Sequence, residues 1–483
     1  MDSFNIPNFP DLRPIAPELV VIGSALILIL IDLFVKRKEI VAYTGIIGTI
    51  LALFISIKVY AMIGPTSTFG GMFILDGYSN FFKLIFYINL ILTICISIKY
   101  LRIEKASLGE YYALLLLATS GMMIMASAKD LMILYLGLEL MSLSTYILVG
   151  ILRNNLRSNE AAIKYFLLGG FSSAFLLYGA SLIYGLTGTT DIAAIASYIN
   201  VNGLAGNKIL LLSMVLFAVA LGFKIATVPF HMWAPDAYEG APTSITAFMS
   251  VGPKAAGFAA IGRVFLIAFG SIKIEWSAVL IPLAVLSMGV GNIVALSQTN
   301  IKRMLAYSSI AHAGYALLGV IVGTGEGLSS MMNYMFIYAF MNIGAFAVVI
   351  MLRSEGISGE DLSDYEGLSK SHPLASALML VFMLSLTGIP PTAGFIAKFY
   401  VFMEAIKAGY VSLVVIAVIF SVVSAFFYLR VIMYMYMREP KEEVVLSSSI
   451  PMGIALAVST FIIFALGVFP SYILNLARFS ILG

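Results

Sequence analysis

Fourteen long apolar runs, separated by short polar stretches, make up nearly the whole of this chain. They lie near 17–35, 40–62, 76–98, 111–128, 130–152, 160–185, 208–230, 241–267, 276–296, 303–324, 329–352, 372–397, 406–437 and 448–472. A run of about 20 apolar residues is long enough to cross a hydrocarbon layer ~30 Å thick as an α-helix. The pattern predicts an all-α polytopic membrane protein with about 14 transmembrane helices. The longest connections, 186–207 and 353–371, are too short for a soluble domain, so residues 1–483 read as one integral membrane domain.

Composition agrees. Of 483 residues, 61% are hydrophobic and 11% charged, and mean hydropathy is +1.01. A soluble domain carries about 25% charged residues. The stretch from Met1 to Pro17 is polar, proline-rich and without a basic start, and Lys36, Arg37 and Lys38 follow the first run. That is the reverse of a cleaved leader's charge order, so the first run is expected to stay as a helix. A net charge of +3 gives no reason to expect nucleic acid. Cys95 is the only cysteine, which rules out a disulfide framework or a cysteine metal site, and His231, His312 and His372 lack ligand spacing.

Basic residues set an orientation. Connections after odd-numbered runs hold fourteen: Lys36, Arg37, Lys38, Lys99, Arg102, Lys105, Arg153, Arg157, Lys302, Arg303, Arg353, Lys370, Arg438 and Lys441. Those after even-numbered runs hold four: Lys129, Lys208, Lys273 and Lys407. The excess predicts odd connections on the cytoplasmic side and both termini outside.

Arg13 and Arg478 lie near the termini, and the remaining eight basic residues fall within or at the edge of the runs. Lys58, Lys83, Arg263 and Arg430 lie close enough to helix ends to reach water along their alkyl stems. Lys224, Lys254 and Lys398 are too deep for that, and Lys164 is intermediate. An ionisable group near the bilayer centre costs at least ~2.5–3.5 kcal/mol, so ion transfer is the natural reading. The bland one is a set of charges that only fix helix packing.

Five segments carry this chemistry. LGLELMSLSTYILVG (Leu136 to Gly150) buries Glu139 with no charged neighbour in sequence. GFKIATVPFHMWAPDAYEGAPT (Gly222 to Thr243) places Lys224 five residues before Pro229, which removes a backbone donor and breaks the seventh helix. Such breaks at membrane depth are tolerated only inside protein or along wet cavities. Moving Glu139 relative to Lys224 would load or release a proton, the two titrating as one coupled system. Lys254 follows Gly252 and Pro253 in the eighth run. KRMLAYSSIAHAGY (Lys302 to Tyr315) adds His312, a histidine suited to relaying protons near neutral pH, with Tyr307, Ser308, Ser309 and Tyr315 as polar company. LTGIPPTAGFIAKFYVF (Leu386 to Phe402) breaks the twelfth helix ahead of Lys398, and Glu404 beyond it is either a last acceptor or a solvated glutamate.

A faint repeat accompanies these motifs. YILVG (Tyr146 to Gly150) returns as YALLG (Tyr315 to Gly319), an offset of 169 that Tyr165 and Tyr334 keep. Pro229 and Pro391 are each followed by a charge (Asp236, Lys398) and a tyrosine (Tyr238, Tyr400), offset by 162. Shifting by five helices reverses direction, so helices 4–8 (111–267) and 9–13 (276–437) are expected to be inverted repeats with helices 7 and 12 broken.

LELMSLSTYIL, FKIATVPFHMWAPDAYEGAPT, IKRMLAYSSIAHAGYALLG and GIPPTAGFIAKF together resemble the antiporter-like membrane subunits of respiratory complex I, relatives of Mrp-type sodium/proton antiporters. The likeness runs over nearly the whole chain. The opening PELVVIGSALILILIDLF, a lysine at 398 and an end soon after the last run are most similar to the N-type branch. The resemblance implies Glu139 and Lys224 as the ion pair of a first half-channel, with Lys164 modulating Lys224. Lys254 and His312 would form the central relay, and Lys398 the exit-side site. It also implies a subunit of a proton-translocating NADH:quinone oxidoreductase in the inner (cytoplasmic) membrane, assembled with other membrane subunits. This chain would bind no cofactor or metal of its own, with NADH, FMN, iron–sulfur clusters and quinone in partner subunits. A sodium/proton exchanger subunit of the Mrp type would use the same lysines. A membrane hydrogenase or an F420H2-type dehydrogenase could house an equivalent subunit.

Overall fold

With no water in the hydrocarbon layer, backbone groups must pair within their own segment, and the apolar runs accordingly fold as helices. The computed structural model describes residues 9–106, 108–353, 358–440 and 446–481. Helices α1 (Ala16–Phe34) and α2 (Lys38–Ile63) lead into a short antiparallel hairpin of β1 (Thr66–Thr68) and β2 (Phe73–Leu75). Then come α3 (Gly77–Ile103), α4 (Gly109–Ser127), α5 (Leu131–Val149), α6 (Leu156–Thr187), α7 (Ile192–Val201), α8 (Lys208–Lys224), α9 (Trp233–Gly240) and α10 (Thr243–Ile261). The remainder comprises α11 (Lys273–Ala295), α12 (Ile301–Val322), α13 (Gly325–Leu352), α14 (Leu368–Ser371), α15 (Pro373–Thr387), α16 (Ala393–Lys407), α17 (Val411–Met437), α18 (Ile450–Val468) and α19 (Ser471–Phe479).

Among the described residues, twelve helices are long and apolar enough to cross a membrane: α1 to α6, α10 to α13, α17 and α18. The other two predicted crossings, 208–230 and 372–397, are interrupted. The first stops at Lys224 and resumes at Trp233; the second stops at Thr387 and resumes at Ala393. Both turns hold the expected prolines, with cis peptides at Val228–Pro229 and Pro390–Pro391. Gly388 has φ +90°, a left-handed conformation that glycine adopts without penalty. Connection 186–207 holds α7, whose N-terminus Asp191 caps by accepting from Ala194.

Helix α13 is the buried axis, and α10 and α12 are almost as deeply enclosed, whereas α1, α2, α17 and α18 are largely exposed. Leu33, Phe34, Val422 and Phe461 on the outer helices present apolar side chains outward, as a lipid-facing surface requires.

Two of the cations expected to reach water do not. Lys83 is fully buried and pairs with Glu18 of α1 at 2.7 Å. Arg263 is buried too, held by Asp76 (2.9 Å) and the Ala126 carbonyl (2.7 Å). Their partners come from elements remote in sequence, which a reading of distance from the helix end overlooks. Arg430 donates to the carbonyls of Leu296 and Gln298, and Lys58 is exposed as expected. Glu404 is not solvated: it is buried and paired with Lys407 at 2.7 Å. Lys441, one of the fourteen basic loop residues, lies outside the described residues.

Candidate functional site

Lys224 ends α8. The chain then turns through Ala226, at φ +59°, and Pro229 before α9 begins. The freed backbone groups are satisfied from elsewhere: Trp233 Nε1 donates to the Phe223 carbonyl (2.9 Å), and Val228 N–H donates to Ser287 Oγ of α11 (2.9 Å). The amine of Lys224, 2% exposed, donates to Ser142 Oγ of α5 at 2.8 Å and faces the rings of Tyr146 and Phe223.

Glu139 lies on α5 one turn before Ser142, so the carboxylate and the amine's acceptor share a helix face. It is not in ion-pair contact with Lys224 among the described residues. Its Oε1 instead accepts a short hydrogen bond from Ser173 of α6. The two predicted partners are thus each held by a serine, Lys224 by Ser142 and Glu139 by Ser173.

Lys164 sits apart from this pair. Half exposed, it binds Asp236 Oδ2 (2.9 Å) and Glu160 Oε1 (2.8 Å) beside a polar cleft of about 250 Å³.

Lys254, 2% exposed, donates to the carbonyl of Ser309 on α12 (2.9 Å) and to its hydroxyl. One turn on, His312 is enclosed by phenols: Nδ1 lies 2.6 Å from Tyr334 Oη and Nε2 3.1 Å from Tyr428 Oη. Tyr428 is in turn 2.5 Å from Ser308 Oγ. The Tyr315 ring stands edge-on to His312, its hydroxyl accepting from Asn292 at 2.9 Å.

Lys398 stands over that ring, its Nζ 5.0 Å from the centroid. Lys398 donates to the Thr387 carbonyl, the last of α15, at 2.7 Å, and to Ser421 Oγ at 2.9 Å. A helix's final carbonyls carry partial negative charge, so the break itself supplies a counter-dipole for this amine. The lysine also borders an apolar crevice of about 560 Å³ lined by Phe399, Phe402 and Val422.

The structure thus ties Lys254, through Ser309, to the helix that carries His312, and sets Lys398 over the Tyr315 ring that His312 also meets. Among the described residues, no carboxylate lies within ion-pair distance of Lys224, Lys254 or Lys398, and no group of three or more His, Cys, Asp or Glu side chains could hold a metal ion.

Residues 128–424 match the family model described as NADH:quinone oxidoreductase/Mrp antiporter, TM. NADH-quinone oxidoreductase subunit N of Trichlorobacter lovleyi is 49% identical over 471 residues, spanning 97% of this chain and 96% of that protein. This chain belongs to the subunit N family. A chain in the structure of respiratory complex I from Thermus thermophilus with bound aureothin superimposes with a TM-score of 0.82 at 33% identity, covering 96% of this chain and 99% of that one. A chain of the Mrp complex from Dietzia sp. DQ12-45-1b shares the fold, with a TM-score of 0.84 at 21% identity and 97% coverage of each.

Seen as a subunit N relative, the chain has site neighbours that sequence reasoning passed over: Ser142, Ser173, Tyr334, Tyr428 and Ser421. Each is a neutral hydroxyl on a helix other than that of the group it serves. Ser142 and Ser173 sit in apolar runs where a serine looks like small packing. The repeat offset marks Tyr334 without giving it a role, and no spacing rule singles out Tyr428 among 25 tyrosines.

Proposed function

We propose that this chain is the N subunit of the membrane arm of an NADH-quinone oxidoreductase and carries protons across the membrane, driven by electron transfer from NADH to quinone in partner subunits. The observation that carries the reading is the set of three buried lysines, each held by neutral oxygen acceptors, two of them beside helix breaks. Where no fixed counter-charge holds an amine, a moving neighbouring charge decides whether it keeps its proton. Moving one charge against 100 mV costs ~2.3 kcal/mol, within reach of a modest change in surroundings.

In this reading Glu139 and Lys224 form the first half-channel, approaching and separating between their serine-held positions, with Lys164 acting on Lys224 from the cleft. Lys254 and His312 are the central relay, and Lys398 the exit-side site. The interrupted pairs α8–α9 and α15–α16 each make one crossing, giving fourteen in a single domain. Residues 111–267 and 276–437 are the inverted repeats. The basic-residue bias puts both termini on the outer side of the inner membrane. NADH, FMN, iron–sulfur clusters and quinone belong to partner subunits in this reading, and one cysteine, Cys95, is too few to ligate an iron–sulfur cluster here.

The test is Lys224→Ala in the intact complex, with assembly followed on a native gel. An assembled complex that loses both quinone reduction and pumping supports the reading. Normal assembly with normal pumping overturns it.

A further inference from the structure

We infer that Asp236 is a positioning residue that couples the two halves of the proton path; the inference rests on the function proposed above. Asp236 lies on α9, the short helix after the first break, and both of its carboxylate oxygens are committed. Oδ2 accepts from Lys164 of α6 at 2.9 Å, and Oδ1 accepts from Arg303 of α12 at 2.9 Å. One cation comes from the first proposed repeat, the other from the second.

Neighbouring contacts make α9 a strut between those helices. Arg303 also binds Glu239 at 2.9 Å, and Lys302 donates to the carbonyls of Glu239 (2.8 Å) and Ala241 (2.7 Å). Toward α6, the Trp233 ring stacks on Tyr165 with centroids 4.4 Å apart. A side chain at Gly240 would come within 2.6 Å of Ala161 Cβ and the Arg157 carbonyl, so α9 lies directly on α6.

From this strut a short route leads to each buried amine. Trp233 Nε1 binds the carbonyl of Phe223, the residue before Lys224. Arg303 stands on α12 six residues before Ser309, the acceptor of Lys254. A carboxylate with both oxygens engaged cannot tighten on one cation without loosening on the other. A shift of α6 or α12 is therefore felt across α9, a physical link of the kind coupling between sites requires. Partly exposed ion pairs contribute little to stability, so removing the charge should spare the fold.

The experiment uses the whole complex in membranes carrying Asp236→Asn. Assembly should be normal, while quinone reduction and pumping fall together at least fivefold. The solvent deuterium isotope effect on turnover should rise as proton movement becomes limiting. Asp236→Glu should restore most of the activity. Asp236→Asn combined with Arg303→Gln should cost less than the product of the two single effects, since both remove the Asp236–Arg303 contact. Normal turnover in Asp236→Asn, or slower turnover with an unchanged isotope effect, overturns the inference. If Asp236→Asn does not assemble, Arg303→Gln replaces it, because it removes the charge that Asp236 Oδ1 and Glu239 Oε2 share. Slowed turnover with a raised isotope effect then sustains the inference, and normal turnover overturns it. Lys224→Ala measured in parallel separates the two levels. Normal pumping there sinks the proton reading itself, whereas loss there beside a silent Asp236→Asn sinks only the coupling.

Discussion

Lys254 of α10 donates to both oxygens that Ser309 of α12 offers, its carbonyl at 2.9 Å and its hydroxyl. The amine is thereby tied to the helix that carries His312 one turn further on. In the relay proposed above, a proton leaving Lys254 would meet the Ser309 hydroxyl first and then the phenol-enclosed imidazole of His312.

Ser309→Ala should therefore slow the complex without dismantling it. A hydrogen bond to a charged group is worth ~1.5–3 kcal/mol, and the Ser309 carbonyl remains as a second acceptor. Turnover is expected to fall about tenfold, equivalent to ~1.4 kcal/mol on the barrier. NADH oxidation coupled to pumping measures it. An unchanged rate would remove the hydroxyl from the path.

The first half-channel makes a different prediction, because Ser142 and Ser173 hold Lys224 and Glu139 in separate places. Removing either hydroxyl frees its partner to fall into direct contact with the opposite charge. Ser142→Ala and Ser173→Ala should each reduce pumping by about tenfold or more, in line with ~1.5–3 kcal/mol for one hydrogen bond to a charged group. Pumping rates in assembled complexes decide the matter. Full activity in both variants would show that the separation plays no part in the cycle.

Glu18 and Lys83 give a prediction about stability alone. Both side chains are fully buried and 2.7 Å apart. Lys83→Met should destabilise by about 3–5 kcal/mol, because it strands a buried carboxylate, and the double variant Glu18→Leu/Lys83→Met should recover most of that loss. Thermal unfolding of the detergent-solubilised complex reads both. A double variant as unstable as the single would mean the pair supports something beyond its own charges.

Asp361, in the connection before α14, supplies a pH dependence outside the membrane. Burial, and then the nearby Asp364 and Glu360 charges, push its carboxyl above the ordinary value. A carboxyl raised in the folded state favours folding below its unfolded value, and that advantage is lost as pH rises through the folded value. Asp361→Asn should thus raise thermal stability slightly at pH 7 and leave it unchanged near pH 3. Equal effects at the two pH values would refute this account.

The sequence by itself determined the helical membrane class, the position of each apolar run, both breaks and the residues that carry ionisable chemistry. Those features are local: hydrophobic length sets a crossing, and Pro229, Pro390 and Pro391 interrupt a helix whatever lies beside it. Tertiary structure alone decided the partners. It put Glu139 on Ser173 rather than Lys224, moved Lys164 to Asp236, gave Lys83 to Glu18, and drew Tyr334 and Tyr428 around His312. The physical reason is range. A helix break depends on a few consecutive residues, whereas a hydrogen bond inside a bundle depends on which faces of distant helices meet, and one chain's sequence does not spell out that packing.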